Sequence, residues 1–305
     1  MKIRYIILMV LAGVMTIFSC DNDELFEREQ YKKTFALLSD DDGFNIFSEE
    51  HDLELTDSPG FISAICGGSL PTEKDINIAI IEDDDLLADY NSRNFGDETG
   101  KHARRLPQSN YDIAKYNITI PAGERKGLMS IEVNANGLSP DSVYMLPLSV
   151  ARFSSYEMNL DKRTVLYRVY MKNYYATNTS EVNYNYRSKI DGINYIGLKR
   201  VFPVHGNSVR IMAGNISFES NENIINSGAI VLTVDENNNV QITSWKNMTV
   251  TQIDGDPDFP NTFSIVDDGY NKYKTFLLHY KYSVNEEEHD IQEELRIEFE
   301  EEIKY

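Results

Sequence analysis

Cysteine is almost absent from this sequence: Cys20 and Cys66 are the only two in 305 residues. Cys20 ends an N-terminal signal described below, so Cys66 has no intramolecular partner and packing, with no disulfide, must hold the fold. Cys66 lies among apolar residues in FISAICGGSL, where a free cysteine behaves as a small buried hydrophobe. A catalytic thiol would need a histidine partner, and the sequence places none beside it. Positive charge is also scarce. Lys and Arg number 29 against 49 Asp and Glu, a net charge of -20; an acidic surface of that size repels phosphate backbones, and nucleic acid is not expected as a partner. Cofactor signatures are missing as well. The histidines His51, His102, His205, His279 and His289 show no HExxH spacing, and no GxGxxG, Walker A or GxSxG element occurs, so neither a zinc site nor a bound cofactor is expected. One metal candidate stands out. Asp254, Asp256 and Asp258 alternate in IDGDPDF and could offer three carboxylates to calcium, although Phe259 sits where a helix-loop-helix calcium loop requires glycine.

Long apolar runs are limited to the start of the chain. Lys2 and Arg4 precede an apolar stretch from Ile6 to Phe18, and Ser19-Cys20 follows. Such a run falls short of the roughly 20 residues of a transmembrane helix, and its order is that of a signal peptide. Ending at a cysteine, it reads as a lipoprotein signal: residues 1–19 are removed and Cys20 is acylated, anchoring the protein to a membrane. The remaining chain is longer than one compact core usually takes, so two domains are expected. Residues 20–34 are too polar to fold alone and read as a tether.

Beyond the tether, short apolar alternations are broken by turn residues. Ile76, Ile78 and Ile80 alternate, as do Tyr116, Ile118 and Ile120, and Met129, Ile131 and Val133, the period of half-buried strands. Residues 143–150 are apolar on both faces, as in a strand covered on each side, and Val165, Val169 and Met171 mark another strand. A short helix capped by Asp84 or Asp85 would put Leu86, Leu87 and Tyr90 on one face. YATNTSEVNYN, residues 175–185, lacks periodicity and marks the domain boundary. After it, strands are expected at Val209 and Ile211, Ile216 and Phe218, Ile230 to Val234, Val240 and Ile242, Phe263 and Ile265, and Phe276 to Tyr282. In the glutamate-rich tail, Ile291, Leu295, Phe299 and Ile303 are spaced by four as on a helix, but Ile297 falls on their face only in a strand, so a closing strand is expected. The fold class is therefore all-β.

The blocks NIAIIEDDDLLADYNSRN, RLPQSNYDI, YNITIPAGERKGLMSIEV, SVYMLPLSV and TVLYRVYMKN resemble the immunoglobulin-like N-terminal domain of a family of Bacteroidetes surface lipoproteins. That domain also precedes a glycosidase module in an endo-N-acetylglucosaminidase. FLLHYKYSV and IQEELRIEFEE resemble the family's lipocalin-like C-terminal domain. The resemblance implies an immunoglobulin-like β-sandwich over residues 35–175 and an antiparallel lipocalin-like β-barrel over residues 176–305. It also implies an outer-membrane, lipid-anchored protein facing the cell exterior that captures a glycan or polysaccharide for a neighbouring transporter complex, with DNDE at 21–24 resembling a surface-export signal. The alternative is a structural or adhesive protein with a protein partner.

No catalytic constellation is visible, and carboxylates are too many for the sequence to nominate a glycosidase pair. Aromatic stacking is the expected binding chemistry, because sugar rings present apolar faces. The single tryptophan, Trp245, in TSWKN, leads the candidates; Tyr184, Tyr186, Tyr195, Tyr270 and Tyr273 follow, chosen from 19 tyrosines for their nearness to loops.

Overall fold

A computed structural model describes residues 29–299 apart from 41, 180 and 181. The expected signal peptide, the expected lipidation site Cys20, and Ile303 lie outside the described residues. The first half of the chain contributes β1 (Thr34–Leu37), β2 (Ile46–Asp52), β3 (Ser58–Cys66), β4 (Ile76–Glu82), β5 (Arg104–Arg105), β6 (Tyr111–Asp112), β7 (Asn117–Ile120), β8 (Lys126–Val133), β9 (Tyr144–Phe153), β10 (Glu157–Met158) and β11 (Thr164–Lys172). They form two sheets, ordered β10-β1-β3-β8-β6 and β2-β11-β9-β4-β7, with β5 added alongside β9. The inward sets of both sheets, including Phe35, Ile62, Ile78, Ile118, Ile131, Leu146 and Tyr167, merge into one core, which is the architecture of a β-sandwich.

Strand β9 explains the apolar run at 143–150. Tyr144, Leu146 and Leu148 face the sandwich core, while Met145 packs on the other side with Leu87 and Tyr90. Those two residues belong to α1 (Asp84–Phe95), which covers the outer face of the second sheet. Burying each such side chain contributes roughly 2 kcal/mol. The helix starts one residue earlier than expected. Its N-cap is Asp83, which makes no side-chain cap bond, and Asp84 and Asp85 lie in the first turn, where carboxylates suit the helix dipole.

The second half contributes β12 (Asn183–Ile190), β13 (Ile193–Arg200), β14 (Phe202–His205), β15 (Ser208–Met212), β16 (Ala229–Val234), β17 (Val240–Ser244), β18 (Thr249–Gln252), β19 (Thr262–Asp267), β20 (Lys272–Val284) and β21 (Glu287–Phe299). Two antiparallel sheets result, β13-β12-β21-β20-β18 with β19 also on β20, and β14-β15-β16-β17. Their inward residues share a second core around Tyr184, Ile211, Leu232, Phe276 and Leu295. The glutamate-rich tail is the long strand β21, with Ile291 and Leu295 fully buried.

Two expectations fail here. Ile216 and Phe218 are not in a strand, because Gly214 turns the chain out of β15 at φ +54. They pack instead against Met212, Ile225 and Trp245 beside α2 (Glu222–Gly228), whose N-cap Asn221 accepts a bond from the Asn223 N–H. The end of the supposed tether is also fixed in place. Glu29 accepts bonds from the Ser69 and Leu70 amides at 2.6 and 3.1 Å, and Lys33, only 8% exposed, donates to the Pro71 carbonyl at 2.8 Å.

His51 sits on β2 without exposure, its Nε2 2.8 Å from the Tyr167 hydroxyl. Burial pushes its pKa from the ordinary 6.5 to about 4. The unfolded chain therefore binds a proton between those values that the folded chain refuses, so this contribution is complete above pH 6.5 and is lost as pH falls toward 4. The stability lost across that window is on the order of 3 kcal/mol. Urea unfolding at pH 7 and pH 4.5 should show a smaller acid loss for His51→Gln than for the parent chain. Equal losses in the two proteins would remove His51 as the cause.

Candidate functional site

The two halves meet at a cleft of about 1050 Å³. One wall is built by the residues after α1 and the turn before β9; the other is built by the end of β14, the start of α2 and the residues after β17. These are element ends, where backbone direction changes and polar side chains are held by the scaffold behind them.

Behind the lining lies Arg210 on β15, buried beneath two of its residues, Asp141 and Trp245. Its guanidinium donates twice to Asp141 of the first half, Nη1 to Oδ2 at 2.6 Å and Nη2 to Oδ1 at 2.5 Å. Arg210 is 1% exposed and the Asp141 side chain 21%, so the pair is largely desolvated, and its forked geometry fixes the arginine. The guanidinium also lies 4.7 Å from the Phe202 ring and 5.1 Å from the Trp245 ring. Because Arg210 is buried, it braces Trp245 from the protein side. Asn173 adds to the junction: its amide nitrogen donates to the His205 and Ser208 carbonyls at 2.7 and 2.9 Å, and its oxygen accepts from the Tyr175 and Ala176 amides.

Trp245 is half-buried at the end of β17, and its amide donates to the Ala229 carbonyl at 3.2 Å. One edge packs with Met212 and Ile225, and the rest of the ring lines the cleft. Lys246 Nζ stands 5.3 Å from the ring centroid. Lys101, His102 and Arg104 face it from the other wall, while Glu222 lies on its own wall at the start of α2. Hydroxyl and amide groups of Ser139, Ser142 and Asn226 complete a lining that offers both donors and acceptors.

A smaller pocket of about 300 Å³ opens beside β13 and β15. Lys199 lies beneath it. Its ammonium is bonded to the Glu293 carboxylate and to the Gly214 carbonyl at 2.7 Å, and Tyr280 donates to Glu293 at 2.9 Å. Burial draws the Lys199 ammonium below the usual lysine range despite Glu293, and pushes the Tyr280 hydroxyl well above its own. Every polar atom of this cluster has a partner, which suits a structural interior better than a ligand site.

The tyrosines chosen from the sequence do not gather around Trp245. Tyr184 is a correction: it is fully buried on β12, its hydroxyl donates to the Tyr175 carbonyl at 2.5 Å, and it offers no face to a ligand. Tyr186, on the same strand face, is half-buried under Lys199 Nζ at 4.9 Å, and Tyr195 packs against the second core. Tyr270 is 95% exposed in the β19–β20 turn. Tyr273 has the Arg296 guanidinium 3.6 Å from its ring centroid, which covers that face. The calcium candidates also disperse. Asp254 accepts from Gln252 at 2.6 Å, and Asp256 accepts from Gln292 at 2.5 Å and lies 2.8 Å from His279. No group of three His, Cys, Asp or Glu residues converges as a metal site among the described residues. Cys66 is buried, and desolvation pushes its thiol upward, as for an inert side chain.

Sequence reasoning missed the other residues of the cleft. A signal was present: KHARR at 101–105 is a basic cluster in a chain of net charge -20.

A family model described as an N-terminal domain matches residues 31–157, and a companion described as a C-terminal domain matches residues 163–298. The second match includes β11, which hydrogen-bonds between β2 and β9 of the first-half sandwich. No curated protein matches the chain. Among solved structures, a Bacteroides ovatus protein of unknown function is 18% identical with a TM-score of 0.65, over 88% of this chain and 95% of its own. A multidomain B. ovatus protein including DUF1735 gives 16% and 0.64, over 87% and 94%. An auxiliary nutrient binding protein from Bacteroides thetaiotaomicron gives 14% and 0.59, over 83% and 90%. At these identities the likeness shows the fold. With both halves matched by the paired domain models, the chain belongs to the Bacteroidetes family that joins an immunoglobulin-like N-terminal domain to a lipocalin-like C-terminal domain.

Proposed function

We propose that this protein binds a glycan in the Trp245 cleft without catalysing a reaction, as a lipid-anchored component of a polysaccharide-acquisition system. The observation that carries the reading is an aromatic ring braced by a buried arginine and set in a polar cleft: an apolar platform for a sugar face, with donors and acceptors around it for the hydroxyls. The solved neighbour described as an auxiliary nutrient binding protein agrees with it. Catalysis finds little support in the cleft. Asp141 has both oxygens committed to Arg210, which leaves Glu222 without a second carboxylate for glycosidase chemistry on that wall.

The anchor would be Cys20, followed by the acidic run 21–24, and the receiving partner an outer-membrane transporter. A second reading, adhesion through a protein partner, is favoured by Ile196 and Leu198. They share the outward face of edge strand β13 and are 81% and 68% exposed.

Trp245→Ala is expected to weaken glycan affinity by roughly tenfold or more, as truncation of an aromatic anchor does. Trp245→Phe, which keeps a ring, should lose less. Titration of both variants with the same glycan checks this, and unchanged affinity in Trp245→Ala would move the ligand elsewhere.

A further inference from the structure

The charge of the Trp245 cleft runs against that of the protein. Acids outnumber bases 49 to 29 in the chain, yet the walls bring Lys101, Arg104 and Lys246 around one uncommitted carboxylate, Glu222. Asp141, the other acid of the lining, is neutralised by Arg210. Lys101 is paired with Glu98 at 2.6 Å. Arg104 and Lys246 are exposed, and among the described residues neither has a side-chain hydrogen bond or a carboxylate partner. In a chain so rich in acids, Arg104 and Lys246 stand on opposite walls of one cleft whose single uncommitted carboxylate, Glu222, cannot balance both, which leaves positive charge for an anion from outside.

We infer that the glycan of this cleft is anionic, a sugar bearing a carboxylate or a sulfate ester. The inference rests on the proposed binding reading and adds the charge of the ligand. The ring of the sugar lies against Trp245, and its anionic group is met by Lys246 and Arg104. Arginine suits this role, because its planar fork matches carboxylate and sulfate oxygens. The net charge of the protein does not prevent it. Remote acids are screened beyond roughly 8 Å at physiological ionic strength, whereas cations in a partly enclosed cleft act at short range and lower dielectric.

The test is titration of the full-length chain, held in detergent micelles, with two matched pairs. Trigalacturonate is compared with its methyl ester, and a sulfated galactan oligosaccharide with its desulfated form. At least one charged member should bind roughly tenfold more tightly than its neutral counterpart, the worth of one charge-assisted bond. Arg104→Gln combined with Lys246→Gln should erase that preference. The two arms separate a carboxylate from a sulfate as the recognised group. Equal affinity within both pairs, no binding of either charged member, or a preference that survives the double substitution overturns the inference. Neutral sugars that bind through Trp245 as tightly as charged ones would leave the binding reading standing and remove only the charge. Binding of every sugar that is indifferent to Trp245→Ala would remove the site itself.

Discussion

Lys199→Met is expected to destabilise the C-terminal half by about 3–5 kcal/mol, because it strands Glu293 as an unpaired charge in a sealed interior. Glu293 is 0% exposed and the Lys199 side chain 5%. Three further bonds tie the pair into the interior: Lys199 with the Gly214 carbonyl, Tyr280 with Glu293, and the Gly214 amide with the Tyr280 hydroxyl at 3.0 Å. Replacing both partners is a different matter, since a buried ion pair exchanged for apolar side chains of similar volume is often neutral. Lys199→Met with Glu293→Leu should therefore regain most of the loss. The sole tryptophan, Trp245, lies in the same half, so its fluorescence follows the relevant transition in urea. A loss of only about 0.5 kcal/mol, the size of an ordinary surface substitution, would contradict a charged interior pair.

Gly60→Ala is expected to cost about 3 kcal/mol in the N-terminal half, through overpacking joined to the loss of buried hydrogen bonds. A Cβ on Gly60 would stand 2.1 Å from the Tyr167 hydroxyl oxygen, 2.7 Å from Glu49 Oε2 and 2.9 Å from His51 Cε1. None of these atoms is free to retreat. Tyr167 is fully buried and donates to Glu49 at 2.5 Å, the same carboxylate accepts from the Phe61 amide at 2.9 Å, and His51 closes the other side. Tyr167→Phe removes the oxygen in closest approach, so the two substitutions together should cost less than the sum of each alone. Thermal unfolding of the single and double variants measures the coupling, and strictly additive losses would place the strain elsewhere.

Both hubs were hidden in the sequence for one physical reason. A charged or polar residue on the inward parity of a strand looks like its solvated neighbours when acids are everywhere. Glu293 occupies the odd-numbered face that Ile291 and Leu295 identify as buried, but in a run of glutamates its position reads as solvent. The apolar alternation itself was legible. Ile76 to Ile80, Met129 to Val133 and Phe276 to Tyr282 are strands with their named residues inward, because period-two burial leaves a pattern no other element produces.

The candidate site was legible only in part. Trp245 could be singled out because it is alone. Tyr184 was misplaced: the composition of YATNTSEVNYN suggested a loop up to Asn185, whereas β12 begins at Asn183 and turns Tyr184 into the core. The other cleft residues come from segments far apart in the chain, around residues 102, 141, 222 and 246. Only the meeting of the two halves brings them together, and no local periodicity records that meeting.

Isothermal titration of the full-length chain against a panel of host and plant polysaccharides, with product analysis on the same mixtures, tests glycan binding most directly. Saturable heat without products, lost in Trp245→Ala, is the predicted result. Saccharide products would contradict a non-catalytic role, and the absence of heat across the panel would contradict glycan binding and turn attention to the exposed face of β13.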